Sequence, residues 1–465
     1  MQRSISIPVF SPSIAPRPGR PVRLKLPSIA WTLALIAVGL GPSSVIAEDE
    51  TPTTNITLRN ASGVLGIGVG EKAHSKAGHD LLALHGEYQA YLQQADPEAR
   101  GPSGFRSRNF LAPTAAGYVS IDTAAAGDPE ALAADLEALG LQGGAVFGRM
   151  VSGRLLISAI PALEALDSLK FARPAYAMTR AGAATSQGDV AIRADVARSA
   201  FGADGTGVTV GVLSDSFNCR LGAATGVGSG DLPAGIVVLE EGPCAAGLVD
   251  EGRALAEIVH DVAPGAAIAF QTTQGGQANF AQGIVDLANA GAKVITDDII
   301  YFAEPMFQDG PIAQAVDQVK GLGVSYFSAA GNDGRKSYES PFRGSGQFIE
   351  LGAGPEELHD FDPGPGVDTC QRITIPVGEG LDVSFQWDQP FFSVSGAPGS
   401  QNDLDIRLTD ATCTTPLSSS LDFNVGGNPV EVLSFGNEGP ATSFGLTILR
   451  FSGPKPRIDE NRTSW

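Results

Sequence analysis

Acidic and amide side chains recur in this chain where apolar segments begin or end. The triplet Asp250-Glu251-Gly252 opens a stretch in which Leu255, Ile258, Val259 and Val262 follow helical spacing, closed by Pro264-Gly265. Three apolar runs stop at polar residues: Gly205 to Leu213 at Ser214-Asp215, Ala292 to Ile295 at Thr296-Asp297-Asp298, and Val324 to Ser328 just before Gly331-Asn332-Asp333. A carboxylate in such a place can act as a base if its pKa suits the working pH. Each feature also has a plain reading. The helix dipole favours an acid at a helix start, and Asn-Asp-Gly after a strand is ordinary turn chemistry. Three polar strand ends and one acidic helix start together predict a single edge that carries a site.

The elements that would position these residues follow from the pattern between them. Buried parallel strands read as continuous apolar runs, and open α/β sheets hold their ligands at the carboxyl ends of such strands. Strand Gly205 to Asp215, the helix from Glu251, strand Ala266 to Phe270, helix Gly276 to Ala290, strand Ala292 to Ile295, helix Pro311 to Gly321 and strand Val324 to Ser328 alternate. That alternation predicts an α/β region over residues 186–345 with a doubly wound, mostly parallel sheet. Gly252 would let the first helix pack closely.

Upstream, residues 117–185 read as an α+β unit. Its strand Gly117 to Ile121 precedes a helix opened by Asp128-Pro129-Glu130, with Leu132, Leu136 and Leu139 on one face. A hairpin across Val146 to Ile160, turning at Ser152-Gly153, and a second helix over Pro161 to Leu169 complete it. Residues 48–116 are polar and glycine-rich, with one helical stretch near Asp80 to Gln94. Downstream, Leu381, Val383, Phe385 and Trp387 alternate with polar neighbours, as do Leu404, Ile406 and Leu408, and Leu446 with Ile448. This predicts an antiparallel β-sandwich over 346–457, followed by a polar tail, 458–465.

Composition narrows the function classes. The 465 residues are 43% hydrophobic and 18% charged, as in folded proteins, and carry a formal charge of −20. So acidic a chain lacks the clustered Lys and Arg of a nucleic-acid partner. No glycine-rich phosphate loop follows any strand, which removes a plain nucleotide-binding protein. Residues 1–47 have the form of a signal peptide: Arg17, Arg20, Arg23 and Lys25, then an apolar run from Ile29 to Leu40, then Val45-Ile46-Ala47. The apolar run is short for a bilayer. A secreted, periplasmic or extracellular chain with no membrane span after processing is the expectation. Of the three ways to join four cysteines, Cys219–Cys244 and Cys370–Cys413 would each bridge within one predicted domain; the other two connectivities stay open. No metal-type Cys or His cluster is present, and no cofactor is expected. Asp403 and Asp405 fit either a calcium site or the solvent face of a strand.

Four stretches in the middle of the chain resemble the subtilase group, the subtilisin-like and sedolisin-like serine peptidases. GTGVTVGVLSDS (Gly205 to Ser216) looks like the first-strand motif that bears the aspartate. EGRALAEIVHDVAPGA (Glu251 to Ala266) looks like the helix motif that normally begins with histidine, and GAKVITDDI (Gly291 to Ile299) looks like the strand lining the substrate cleft. YFSAAGNDG (Tyr326 to Gly334) matches the motif whose asparagine donates to the oxyanion, here Asn332. The α+β unit resembles the inhibitory propeptides of these enzymes, and the β-sandwich their accessory domains.

The resemblance implies a secreted serine-type endopeptidase in which Glu251 replaces the histidine base, as in sedolisins, with an acid-tilted activity profile. The sedolisin partner aspartate would fall at Leu255, so that pairing is absent; Asp215, ranked slightly ahead, and Asp298 are the candidate partners. A gapless alignment puts Ser214 on the family's aspartate, so Asp215 serves only if the strand end has bulged or turned into loop. The nucleophilic serine of the family lies in a GTS motif that opens a buried helix. Ala441-Thr442-Ser443-Phe444-Gly445 is the look-alike, but a strand pattern follows it, and Ser464 has no helix behind it. The serine is therefore expected to be missing, as in a peptidase truncated before its nucleophile. The chain would be a monomer acting on protein or peptide substrates. The alternative is a catalytically inactive protein of the same fold that binds partners through its β-sandwich.

Overall fold

A computed structural model of the chain describes residues 75–94, 104–107, 112, 114–178, 188–332, 334, 336–351 and 354–464. The signal-peptide expectation at 1–47 lies outside them. The architecture is mixed α/β, with one parallel sheet and several antiparallel ones. The parallel sheet is built from β1 (Thr209–Ser214), β2 (Val237–Glu240), β3 (Ala267–Thr272), β4 (Val294–Asp297) and β5 (Ser325–Ser328). Its spatial order is β5-β4-β1-β3-β2, every pair parallel. Besides the short helix Ala223–Ser229, three longer helices lie between its strands: α1 (Glu251–Val262), α2 (Gln277–Asn289) and α3 (Pro311–Gly321).

Side-chain alternation along β1 distributes these helices over both faces. Leu213 packs with Ile284 and Leu287 of α2 and Ala315 and Val319 of α3. Val212, one residue earlier, faces the other way, onto Ala256 of α1 and Phe270. Strand β2 was not read from the sequence. Its four side chains are all exposed at the sheet margin, so it carries no burial pattern to read.

The upstream α+β unit differs from its reading in two places. The hairpin joins Gln142–Phe147 to Met150–Leu156 and turns at Gly148-Arg149, while Ser152 and Gly153 lie inside the second strand. Gly153 is there for closeness: a Cβ would sit 2.9 Å from Leu141 Cγ. The helix placed at Pro161 to Leu169 is instead a 3₁₀ helix, Ile157–Ala165, whose Ile157, Ile160 and Leu163 recur every third residue and are all buried.

The downstream sandwich has two antiparallel sheets. One orders Ser337–Pro341, Arg457–Ser464, Gly380–Trp387 and Val430–Gly436. The other runs Gly344–Glu350, Pro355–His359, Ser443–Ser452, Asp403–Asp410 and Pro416–Ser420, with Gln371–Thr374 also paired to Ser443–Ser452. Of the tail expected at 458–465, residues 458–464 are no free end, since Arg457–Ser464 pairs on both sides. Its composition hid it: Ile458 enters the core, but Glu460 is also buried, held by Arg462. Asp403 and Asp405 do not face solvent either; both are fully buried, and Asp403 accepts the Asn424 N–H at 3.3 Å. Among the described residues no cluster of three or more His, Cys, Asp or Glu could hold a metal, and no helix is long and apolar enough to cross a membrane. Cys219–Cys244 and Cys370–Cys413 are disulfide-bonded, with Cα separations of 4.9 and 6.1 Å, as suits an oxidising, non-cytosolic compartment.

The sandwich core centres on Trp387 and Phe385, packed with Val383, Leu404, Ile406 and Ile448. Trp387 is fully buried, and its indole N–H donates to Ser400 Oγ at 3.1 Å. Trp387→Ala should cost about 3–5 kcal/mol of folding free energy, read from urea denaturation.

Candidate active site at the carboxyl edge of the parallel sheet

Because all five strands run the same way, the residues that follow β1, β4 and β5 leave the sheet on one side. Ser214 is the last paired residue of β1, opposite Thr272, and its carbonyl accepts the Thr273 N–H at 2.9 Å. Asp215 has already left the ladder. Its buried carboxylate accepts backbone N–H groups from three places: Ser216 at 2.5 Å and Glu251 at 2.9 Å on Oδ1, and Val249 at 2.8 Å on Oδ2. The condition set by the alignment is met: the carboxylate that reaches the helix start belongs to Asp215, while Ser214 stays in the sheet.

The start of α1 is fixed by a second acid that the sequence reading did not assign. Asp250 holds a left-handed backbone (φ 62°) and is buried. It accepts Ser216 Oγ–H at 3.0 Å, the Arg220 N–H at 2.9 Å and Arg253 Nη1 at 2.7 Å, and its own N–H donates to Ser216 Oγ at 2.9 Å. The signal was present in the sequence as an acid three residues before an arginine at a helix start. Glu251 is the first helical residue and only 7% exposed. Gly252 behind it has no room for a side chain. A Cβ there would lie 2.2 Å from Phe270 Cε2 and 2.8 Å from Ser216 O.

The other predicted residues spread along the same edge. Asp297, at the end of β4, stands abreast of Leu213 and Ser328 and is buried; it accepts Ser328 Oγ–H at 3.0 Å and the Ile299 N–H at 3.3 Å. Burial raises its pKa, against the pull of hydrogen bonds from Tyr326, Ser328 and Ile299. Asp298 follows it, half-buried. Asn332 lies beyond β5, the outer strand, and is exposed. Asp215 and Glu251 are therefore brought together, Asp298 is one strand away and Asn332 follows the strand beyond. Ser443 is exposed and opens a sandwich strand opposite Thr374, and Ser464 pairs with Leu381; neither belongs to the parallel sheet.

A short stretch of the chain lies next to this edge, in a separate two-stranded sheet. On leaving the upstream sheet, residues Ala177–Met178 run antiparallel to Ile300–Tyr301, just after the polar end of β4. Phe302 N–H extends the ladder by donating to Tyr176 O at 3.1 Å. The upstream unit is clasped to α2 by Asp122, which is fully buried and accepts Gln277 N–H at 2.8 Å, Gln277 Nε2 at 2.9 Å and Ser152 Oγ–H at 2.6 Å. Burial is the main influence on the Asp122 pKa and raises it. Glu304, close by, has its pKa pushed up to about 8, chiefly by burial.

No family model matches the chain, and no curated protein does. Among solved structures, it resembles the CspB protease of Clostridium perfringens at 12% identity and a TM-score of 0.30, over 58% of this chain and 65% of that one. It also resembles the prenylagaramide maturation protease PagA at 18% identity and a TM-score of 0.21, over 27% of this chain and 47% of that one. The chain thus spans less than two thirds of either protein, and both are proteases.

Two outcomes follow from this geometry. Gly252→Ala should force α1 away from Phe270 and lower stability by about 1–3 kcal/mol, visible as a reduced denaturation midpoint. Glu304, with its folded pKa of about 8 against an ordinary 4.5, keeps a proton that the unfolded chain gives up between those values. Its contribution to stability is complete at low pH and is lost as pH rises towards 8. Glu304→Gln should flatten the fall in Tm over that window, as measured by thermal unfolding across it.

Proposed function

We propose that the protein is a secreted serine-type endopeptidase of the subtilase group, with its site at the carboxyl edge of the parallel sheet. The observation that carries this reading is the pairing of Ala177–Met178 with Ile300–Tyr301. Adding a strand to a sheet edge is how many proteins hold an extended peptide, with main-chain hydrogen bonds giving affinity and pockets giving selectivity. Here that edge runs beside the strand end that bears Asp215 and, across one hydrogen bond, Glu251.

In this reading Glu251 is the general base. Asp215 positions it by accepting its backbone N–H and so fixing the first turn of α1. Asp298, on the neighbouring strand end, is the other acid that can share a proton with Glu251. Asn332 is the oxyanion donor, a role whose loss costs about 2.7–4 kcal/mol of transition-state stabilisation where it has been removed. The upstream α+β unit acts as a propeptide that occupies the peptide edge until it is cleared. The acid-tilted profile belongs to this proposal because a carboxylate base must be ionised near the working pH.

The test uses the natural gene product. Ser443 and Ser464 lie in the sandwich, so the nucleophile is still to be found: a gene product that carries it should hydrolyse peptides between acid and neutral pH, and a serine-directed phosphonate should mark it. Glu251→Gln should lower kcat about 10²–10⁴-fold without shifting Tm. Absence of both turnover and labelling would overturn the peptidase reading in favour of a binding protein that acts through its β-sandwich.

A further inference from the structure

We infer that the β-sandwich completes a side-chain pocket at the peptide edge, and that this pocket selects peptides with an aromatic residue in the place of Tyr176. The inference rests on the reading of Ile300–Tyr301 as the peptide-binding edge and adds a substrate class to it. Tyr176 belongs to the strand that occupies this edge, since its carbonyl accepts Phe302 N–H at 3.1 Å, next to the Ala177–Tyr301 pair. Its side chain is 5% exposed and is enclosed by two separate parts of the chain. Phe302 and Ala303 come from the edge itself, and Phe391, Val430 and Val432 come from the sandwich. An apolar, ring-sized space at a fixed point of a strand-pairing edge is how such edges read side chains.

The sandwich also holds the wall in place. Gln386 Nε2 donates to Phe302 O at 3.3 Å and to Glu304 O at 2.8 Å, and Gln386 Oε1 accepts Met306 N–H at 2.9 Å. Ser384 Oγ donates to the same Phe302 carbonyl. Phe302, whose N–H meets the bound strand, is therefore anchored at its own carbonyl by Ser384 and Gln386.

One polar contact sets the selectivity within aromatics. Tyr176 OH donates to Asp80 Oδ2 at 2.7 Å, and Asp80 belongs to the upstream helix His79–Gln94 rather than to the edge or the sandwich. A peptide that arrives after the upstream unit has moved away brings no such partner. Phenylalanine should then be accepted at least as well as tyrosine, because a buried hydroxyl without an acceptor is penalised. Lysine at this position would give up ring contact with the apolar walls for a charge that meets Asp422 and Arg173, of opposite sign to each other, and should gain nothing over alanine.

Binding, not turnover, tests this. In the full chain, Tyr176→Ala vacates the pocket and weakens the tethered strand. Labelled pentapeptides Pro-Ala-X-Ala-Met, with X as Phe, Tyr, Ala or Lys, are then titrated by fluorescence anisotropy. The Phe peptide should bind Tyr176→Ala at least tenfold more tightly than the Ala peptide, the Lys peptide should bind no better than the Ala peptide, and the unaltered chain should bind all of them more weakly. Adding Val432→Phe, with an unchanged Tm, should fill the pocket and erase the preference for Phe while the Ala peptide still binds. Equal binding of all four peptides to Tyr176→Ala would overturn the pocket and leave the peptide edge standing. Binding of none would overturn the edge and the pocket together, whatever the catalytic assays show.

Discussion

The carboxylate of Asp215 is the junction on which this part of the molecule depends. It leaves the end of β1 and accepts N–H groups from Ser216, Val249 and Glu251, so a strand end, a long loop and a helix start converge on two oxygen atoms. Backbone donors at a helix start have no partners within the helix, and an ionisable acceptor meets that need more strongly than a neutral one. Asp250 adds a second layer, tying the same turn to Ser216, Arg220 and Arg253. Gly252 then lets the helix descend onto Phe270. The orientation of Glu251 is a by-product of these constraints, and the base role proposed for it depends on their holding it still.

The edge was legible because its strands are buried on both faces, and burial on both faces writes an uninterrupted apolar run. Leu213 and Val212 face opposite helices, and Ile295 and Phe270 behave alike. Elements that escaped the reading lack that imprint. Val237–Glu240 exposes its side chains, and Arg457–Ser464 carries a buried glutamate whose charge is answered by an arginine two residues on. The hairpin turn was misplaced because Ser152-Gly153 resembles turn chemistry. Each of the two residues has another duty: Ser152 donates to Asp122, and Gly153 makes room for Leu141. At the candidate site, Asp215 and Glu251 are named from the sequence; Asp250 is marked there only by Arg253 three residues on, and its ties to Ser216 and Arg220 depend on the loop from Ser216 to Val249 folding back on the helix start.

One sheet of the sandwich, through Gly380–Trp387 and Val430–Gly436, also borders the edge. The strand Gly380–Trp387 alternates between two environments, sending Val383, Phe385 and Trp387 into the sandwich core and Ser384 and Gln386 to the loop that follows Tyr301. One period-two pattern thus holds a core together and anchors the loop beside the edge. The upstream unit meets the same region from the opposite direction, through Asp122 on α2 and Arg173 on the carbonyl of Ala303.

The placement of Arg457–Ser464 also sets a clock on biosynthesis. Ser337–Pro341 finds its partner only there, Ser337 opposite Asn461, more than a hundred residues later in the chain. At translation rates of roughly 5–20 residues per second, the earlier strand waits about 6–25 seconds with neither edge paired. Unpaired edges are where chains join one another wrongly. The nascent sandwich is therefore most exposed to misassembly during that interval, when a holding chaperone has the most to offer.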